Sequence, residues 1–224
     1  MSTRSAVGTL ISAAIIVIAL FLGACSTISS PPTSSLPVTE SKPYGSLTIA
    51  SEFGAGLLDP PKGDSNSFVT LGAAIFDTLL SPLPNGKPGP RAAERWEISP
   101  DGMTHSFYLR KGIKFHNGDD LTAADVRFSV ERMMKPESII SEASIWRAAV
   151  AIVVAKDYYT VVIHMKTPQF DLLRATEVAM TAIMPKKYIE EKGEDYFKNN
   201  LVGSGPFKVV KYEPGIRLEL EASE

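Results

Sequence analysis

The chain has 224 residues, with 23 Lys+Arg against 25 Asp+Glu and a formal net charge of −2 spread evenly along its length. That balance excludes a strongly basic or acidic binding surface, so nucleic acid is not expected as a partner. The single cysteine excludes any internal disulfide.

In chain order, the first feature is an apolar run starting near Val7, preceded by one charge at Arg4 and closed by Leu22-Gly23-Ala24-Cys25. A basic start, an apolar stretch and a small-residue cut site mark a secretory leader. A run of about 18 apolar residues is also long enough to remain as an anchor, and Cys25 taken alone is compatible with a buried free thiol. With the cysteine directly behind Leu-Gly-Ala, the segment resembles a bacterial lipoprotein signal. That resemblance implies a signal peptide over 1–24, acylation at Cys25, and residence on the extracytoplasmic face of the membrane or in the periplasm. Residues 25–44 are rich in Ser, Thr and Pro. They hold too little apolar surface to offset the entropy of ordering, which predicts a disordered tether.

From Gly45 onward the pattern is that of a folded α+β unit. Ser46–Ala50 alternates and predicts a strand, and Asp59-Pro60-Pro61 breaks it into a loop. An apolar helix is expected over Phe68–Leu80, stopped by Pro82, Pro84 and Asn85-Gly86. Strands are expected at Thr104–Arg110 and Ile113–Phe115, around Lys111-Gly112. Thr122 lies three residues before Asp125, a capping-box-like start. Ala123, Val126, Val130, Met133 and Met134 then share one helical face, and Pro136 closes the element. Ala149–Ala155 and Tyr158–Met165 form a hairpin across Lys156-Asp157. Short helices are expected from Pro168 to Thr176 and from Pro185 to Gly193. Phe207–Tyr212 and Ile216–Leu220 flank Glu213-Pro214-Gly215 as a second hairpin, with Ile216, Leu218 and Leu220 facing inward. No segment after the leader is long and apolar enough to span a bilayer.

Catalytic patterns are scarce. His105, His116 and His164 are far apart and show no metal-ligand spacing. His116 sits in a turn, where hydrogen bonding to the loop competes with metal binding. Asp119 and Asp120 shape that turn and favour the following helix N-terminus. Gly203-Ser204-Gly205 lacks the nucleophile-elbow frame, and no phosphate-cradling glycine motif is present. Trp146 and Phe68 suit either recognition or core packing.

A longer block is more specific. Ala92-Ala93-Glu94-Arg95-Trp96-Glu97-Ile98-Ser99-Pro100-Asp101-Gly102, then Phe107 through Gly118, Leu121 through Val126 and Phe128-Ser129, resembles the family 5 extracellular solute-binding proteins. These are the peptide, oligopeptide and nickel receptors of ABC importers. Leu58-Asp59-Pro60 resembles the family's early L-D-P, Ile75 through Leu80 its first helix, and Gly203-Ser204-Gly205-Pro206-Phe207-Lys208 its G-T-G-P-Y-K segment.

The resemblance implies a periplasmic-binding-protein-like (type II) lobe with mixed sheet and helices. In it, a subdomain of about 92–200 is inserted between strands near 46–50 and 207–220 that share a sheet. It also implies the substrate-binding component of an ABC importer, probing peptides or another small solute and working with membrane permease subunits. No cofactor, metal or catalytic residue is implied. Ligand-facing positions carry over to Asn66, Ser67, Phe68 and Trp146. In the family a second lobe follows the segment matching Gly203–Leu220, whereas this sequence stops at Glu224. The expectation is therefore a chain truncated before the second lobe, binding weakly unless a separate chain supplies it. The competing readings are a non-transporting fragment or interaction lipoprotein that keeps the scaffold, and a metal-dependent hydrolase using His116, Asp119 and Asp120.

Overall fold

The computed structural model describes residues 45–49, 57–63, 71–140, 143–170 and 182–223. The leader, Cys25 and the tether therefore lie outside the described residues. Residues 45–224 form one compact unit, and its centre is an antiparallel sheet. Strands β3 (Ala93–Ile98), β4 (Thr104–Leu109), β5 (Val150–Ala155) and β6 (Thr160–Met165) lie in the order β3-β4-β6-β5. Alternation decides which side is buried. Phe107, Leu109, Val161, Ile163 and Met165 are sealed against the core, while His164 on β6 is exposed.

Helix α2 (Ala123–Met133) covers β5 and β6 with Ala123, Val126, Val130 and Met133, all buried. The Val126, Val130 and Met133 side chains each contribute roughly 1.5–3 kcal/mol by leaving water. The helix begins as its sequence predicts: the Thr122 N–H and Oγ1–H donate to the Asp125 carboxylate at 2.9 and 2.6 Å. The other Asp125 oxygen accepts the Lys186 N–H at 2.9 Å. One carboxylate thus caps α2 and the start of α4 (Lys186–Lys192). The 150–165 hairpin also forms as expected. Among the described residues, α3 (Ala143–Ala149) and α5 (Glu194–Phe197) are two further short helices.

Several expectations are corrected. The helix expected over Phe68–Leu80 is, among the described residues, a short α1 (Ala73–Ile75) with Phe76 already extended. Continuing the helix would require carbonyls that distant backbone donors have taken. Gly205 N–H bonds Ile75 O, Ile183 N–H bonds Asp77 O, Ala92 N–H bonds Thr78 O and Ala93 N–H bonds Leu79 O, at 2.8–3.1 Å. Leu80 instead begins β1 (Leu80–Pro82), paired with β2 (Pro88–Pro90). Arg91 fastens this bend, with Nε donating to Asp77 at 2.7 Å and Nη2 to the Ala73 carbonyl at 3.2 Å.

Residues 46–49 are exposed and carry no strand ladder. Alternation permits a strand, but only a hydrogen-bonding partner makes one. β7 (Phe207–Glu213) pairs with β8 (Arg217–Ala222) as a two-stranded sheet. Ile216 lies in its turn and is 80% exposed, not inward; Leu218 and Leu220 do pack against the core. Ile113–Phe115 contributes a single bridge, Lys114 to Asp120. Residues 168–170 are not helical, and the rest of that expected helix lies outside the described residues.

Candidate functional site

The L-D-P motif folds as a tight turn in which the Lys62 and Gly63 N–H groups donate to the Asp59 carbonyl at 2.9 and 2.7 Å. Leu58 is fully buried, and its N–H donates to the Tyr212 hydroxyl at 3.2 Å. Asp59 points inward, fully buried, onto the guanidinium of Arg132 in the last turn of α2. The pair is bidentate, at 2.5 and 2.8 Å. Burial opposes the Arg132 charge, but the hydrogen bonds and charge of Asp59 outweigh it and raise the arginine's pKa.

A second layer closes over this pair. Glu194, at the start of α5, places one oxygen 3.5 Å from Arg132 Nε and 3.3 Å from Lys135 Nζ, and the other 2.6 Å from Lys62 Nζ. The Lys62 hydrogen bond, aided by the charges of Arg132 and Lys62, lowers the Glu194 pKa to about 2. Next to this cluster, the Ile139 N–H donates to the Pro61 carbonyl at 3.1 Å. That bond ties the L-D-P turn to the loop that leaves α2. Between them lies a cavity of about 430 Å³ lined by Pro61, Lys62, Arg132, Lys135, Ser138 and Glu194, among others.

The two tied segments lead in sequence into residues 64–70 and 141–142. Asn66, Ser67 and Phe68 lie there, outside the described residues. Trp146, expected to face ligand, instead lies on α3 packed in the core with 1% of its surface exposed, and its indole N–H has no hydrogen-bond partner among the described residues. Sequence reasoning placed Asp59 in a loop and missed Arg132 and Glu194. Their one legible signal was the L-D-P match, because the partners stand 73 and 135 positions further along the chain.

Other polar groups serve structure. His116 bonds to backbone through both ring nitrogens. Asp119 accepts from the Asn117 amide at 2.9 Å, and Asp120 pairs with Lys114 at 2.5 Å. Among the described residues no group of three His, Cys, Asp or Glu side chains is arranged to hold a metal, and no helix is long and apolar enough to cross a membrane.

Comparison with known proteins identifies the family and the fold. Residues 87–224 match the family described as bacterial extracellular solute-binding proteins, family 5 Middle. The chain is 29% identical over 181 residues to the periplasmic oligopeptide-binding protein OppA of Haemophilus influenzae, covering 73% of this chain and 33% of that protein. The crystal structure of that OppA in complex with RPPGFSPFR superimposes with a TM-score of 0.67 at 29% identity, covering 74% of this chain and 36% of the other. MoaA from A. tumefaciens R10, in complex with mannopinic acid, superimposes with a TM-score of 0.68 at 30% identity, covering 76% and 35%. The chain thus spans about a third of the length of these relatives, and its fold is part of a type II periplasmic binding protein.

Proposed function

The chain belongs to the bacterial extracellular solute-binding proteins of family 5, and from that premise we propose that it forms one wall of a solute-capture site serving an ABC importer, with peptides as the ligand class. The observation that carries this reading is the match over residues 87–224, joined to the resemblance to an oligopeptide-binding protein. Capture is non-covalent, no reaction is catalysed, and ATP is hydrolysed by other subunits of the importer.

In this reading residues 45–224 are the N-terminal lobe, with about 92–200 inserted. Asn66, Ser67 and Phe68 face ligand, and Trp146 supports the wall from inside. The opposing wall comes from sequence beyond this lobe, in the same or a separate chain. A pocket gains affinity by enclosing most of its ligand, so this wall alone binds weakly. Cys25 carries the lipid that holds the protein at the membrane, by burying acyl methylenes in the bilayer.

Uptake of labelled di- to pentapeptides by the source bacterium, with and without the gene, tests the function. A selective loss of peptide uptake on deletion is expected, and unchanged uptake of every peptide contradicts the reading. Fractionation of a Cys25→Ala variant tests the anchor, since a variant still mature and membrane-bound would exclude it.

A further inference from the structure

The turn at 115–118 and the segment 203–205 are joined through the backbone and the ring of His116. The His116 N–H donates to the Gly203 carbonyl at 2.8 Å. The Gly203 N–H points at His116 Nδ1 at 3.3 Å, and Nε2 lies 2.9 Å from the Gly205 carbonyl. An N–H needs a lone pair to accept it, and a carbonyl needs a hydrogen. Only the neutral ring with its hydrogen on Nε2 meets both demands.

We propose that His116 is a proton-operated clasp, closed on residues 203–205 when neutral and released when the ring gains a second hydrogen. Protonation puts a donor on Nδ1 opposite the Gly203 donor, and the two repel. The segment has no room to slide into a new arrangement. The Gly205 N–H is bonded to the Ile75 carbonyl at 2.8 Å. A Cβ on Gly203 would overlap the Ile75 carbonyl, and one on Gly205 would come within 2.7 Å of the Ala74 carbonyl.

The charged groups near the ring do not override this. Asp77, beyond α1, favours the proton but is itself paired with Arg91 at 2.7 Å. Lys208 of β7 disfavours it. Asp119, on the ring's own turn, has Lys187 of α4 at 3.6 Å. Burial is the largest influence and moves the ring's pKa below its usual 6.5. The closed clasp binds fewer protons than the open one, so its stability is full above about 6.5 and falls as pH drops toward the ring's lowered pKa. The clasp needs no ligand and holds whatever the chain binds.

The test is a pH titration of the full chain by NMR, following the His116 ring nitrogens and hydrogen exchange of the Gly203 amide. The expected result is the Nε2–H tautomer at pH 7 and a Gly203 protection factor that falls as pH drops from about 6.5 to the ring's own midpoint, about tenfold per pH unit between the two, and levels off below it. His116→Asn supplies an acceptor that does not titrate, and its Gly203 protection should stay flat over the same range. An Nδ1–H tautomer at pH 7, or Gly203 protection that stays flat from about pH 6.5 down to the ring's midpoint, would overturn the proposal. The wild-type titration decides the matter even if the variant does not fold.

Discussion

Asp59 meets Arg132 across 73 positions of sequence as a buried pair of full charges, whereas His116 meets Gly203 and Gly205 across 87 and 89 positions as a neutral ring among backbone groups. Both junctions hold distant stretches together, and they fail differently. The charged junction depends on having both partners, because one charge left alone in the interior is costly. Its outer member, Glu194, stays ionised down to about pH 2. The neutral junction depends on a single proton and weakens in mild acid. One fold therefore contains a joint indifferent to pH in the neutral range beside one that is sensitive to it.

The largest effect should come from breaking the charged joint. Arg132→Met strands the buried Asp59 and should lower unfolding free energy by about 3–5 kcal/mol in urea titration. Adding Asp59→Leu should restore much of that loss, since two apolar groups replace two charges. A single variant within about 1 kcal/mol of wild type would show that the pair does not hold this joint. Next comes the neutral joint: Gly203→Ala forces a methyl onto the Ile75 carbonyl and should cost about 1–3 kcal/mol by the same measurement.

Asp125 sits between the two types, a local cap that also reaches Lys186. Asp125→Ala should cost about 1–2 kcal/mol, and hydrogen exchange should rise at the starts of both α2 and α4. If exchange rises only at α2, the shared cap is wrong. The smallest change is Glu194→Gln. Both Glu194 and its partner Lys62 are 37% exposed, so solvent screening holds the loss to about 1 kcal/mol or less. The folded pKa is depressed, so this contribution is present above the ordinary value of 4.5 and disappears as pH falls toward 2. A difference between variant and wild type that persists at pH 2 would assign the effect to packing.

The sequence disclosed what neighbours in the chain decide. α2 was readable from Val126, Val130 and Met133 at helical spacing and from Thr122 with Asp125. The hairpin at Lys156-Asp157 was readable from its flanking β-branched runs. What the chain does at α1 was not readable, because backbone donors from Ala92, Ile183 and Gly205 decide where that helix stops. Strand β3 leaves little trace in the sequence because an edge strand with exposed Glu94, Arg95 and Glu97 has a weak alternation. Ile216 lies one position before its strand, in the turn, since turn placement depends on register and not on hydropathy. At the candidate site, Leu58-Asp59-Pro60 pointed to the right turn. The choice of Arg132 as its partner is a tertiary fact with no local pattern.

The central claim is that the L-D-P turn and the loop leaving α2, fixed by Asp59 and Arg132, carry the solute-facing wall. Amide chemical-shift mapping of the full chain, titrated with tri- and tetrapeptides to millimolar concentration, tests it most directly because it detects weak binding residue by residue. Saturable shifts are predicted in residues 57–70 and 135–146, with the β7–β8 hairpin and the exposed side of the four-stranded sheet unmoved. Peptide-dependent shifts confined to those other surfaces, or none at any concentration, would contradict the account.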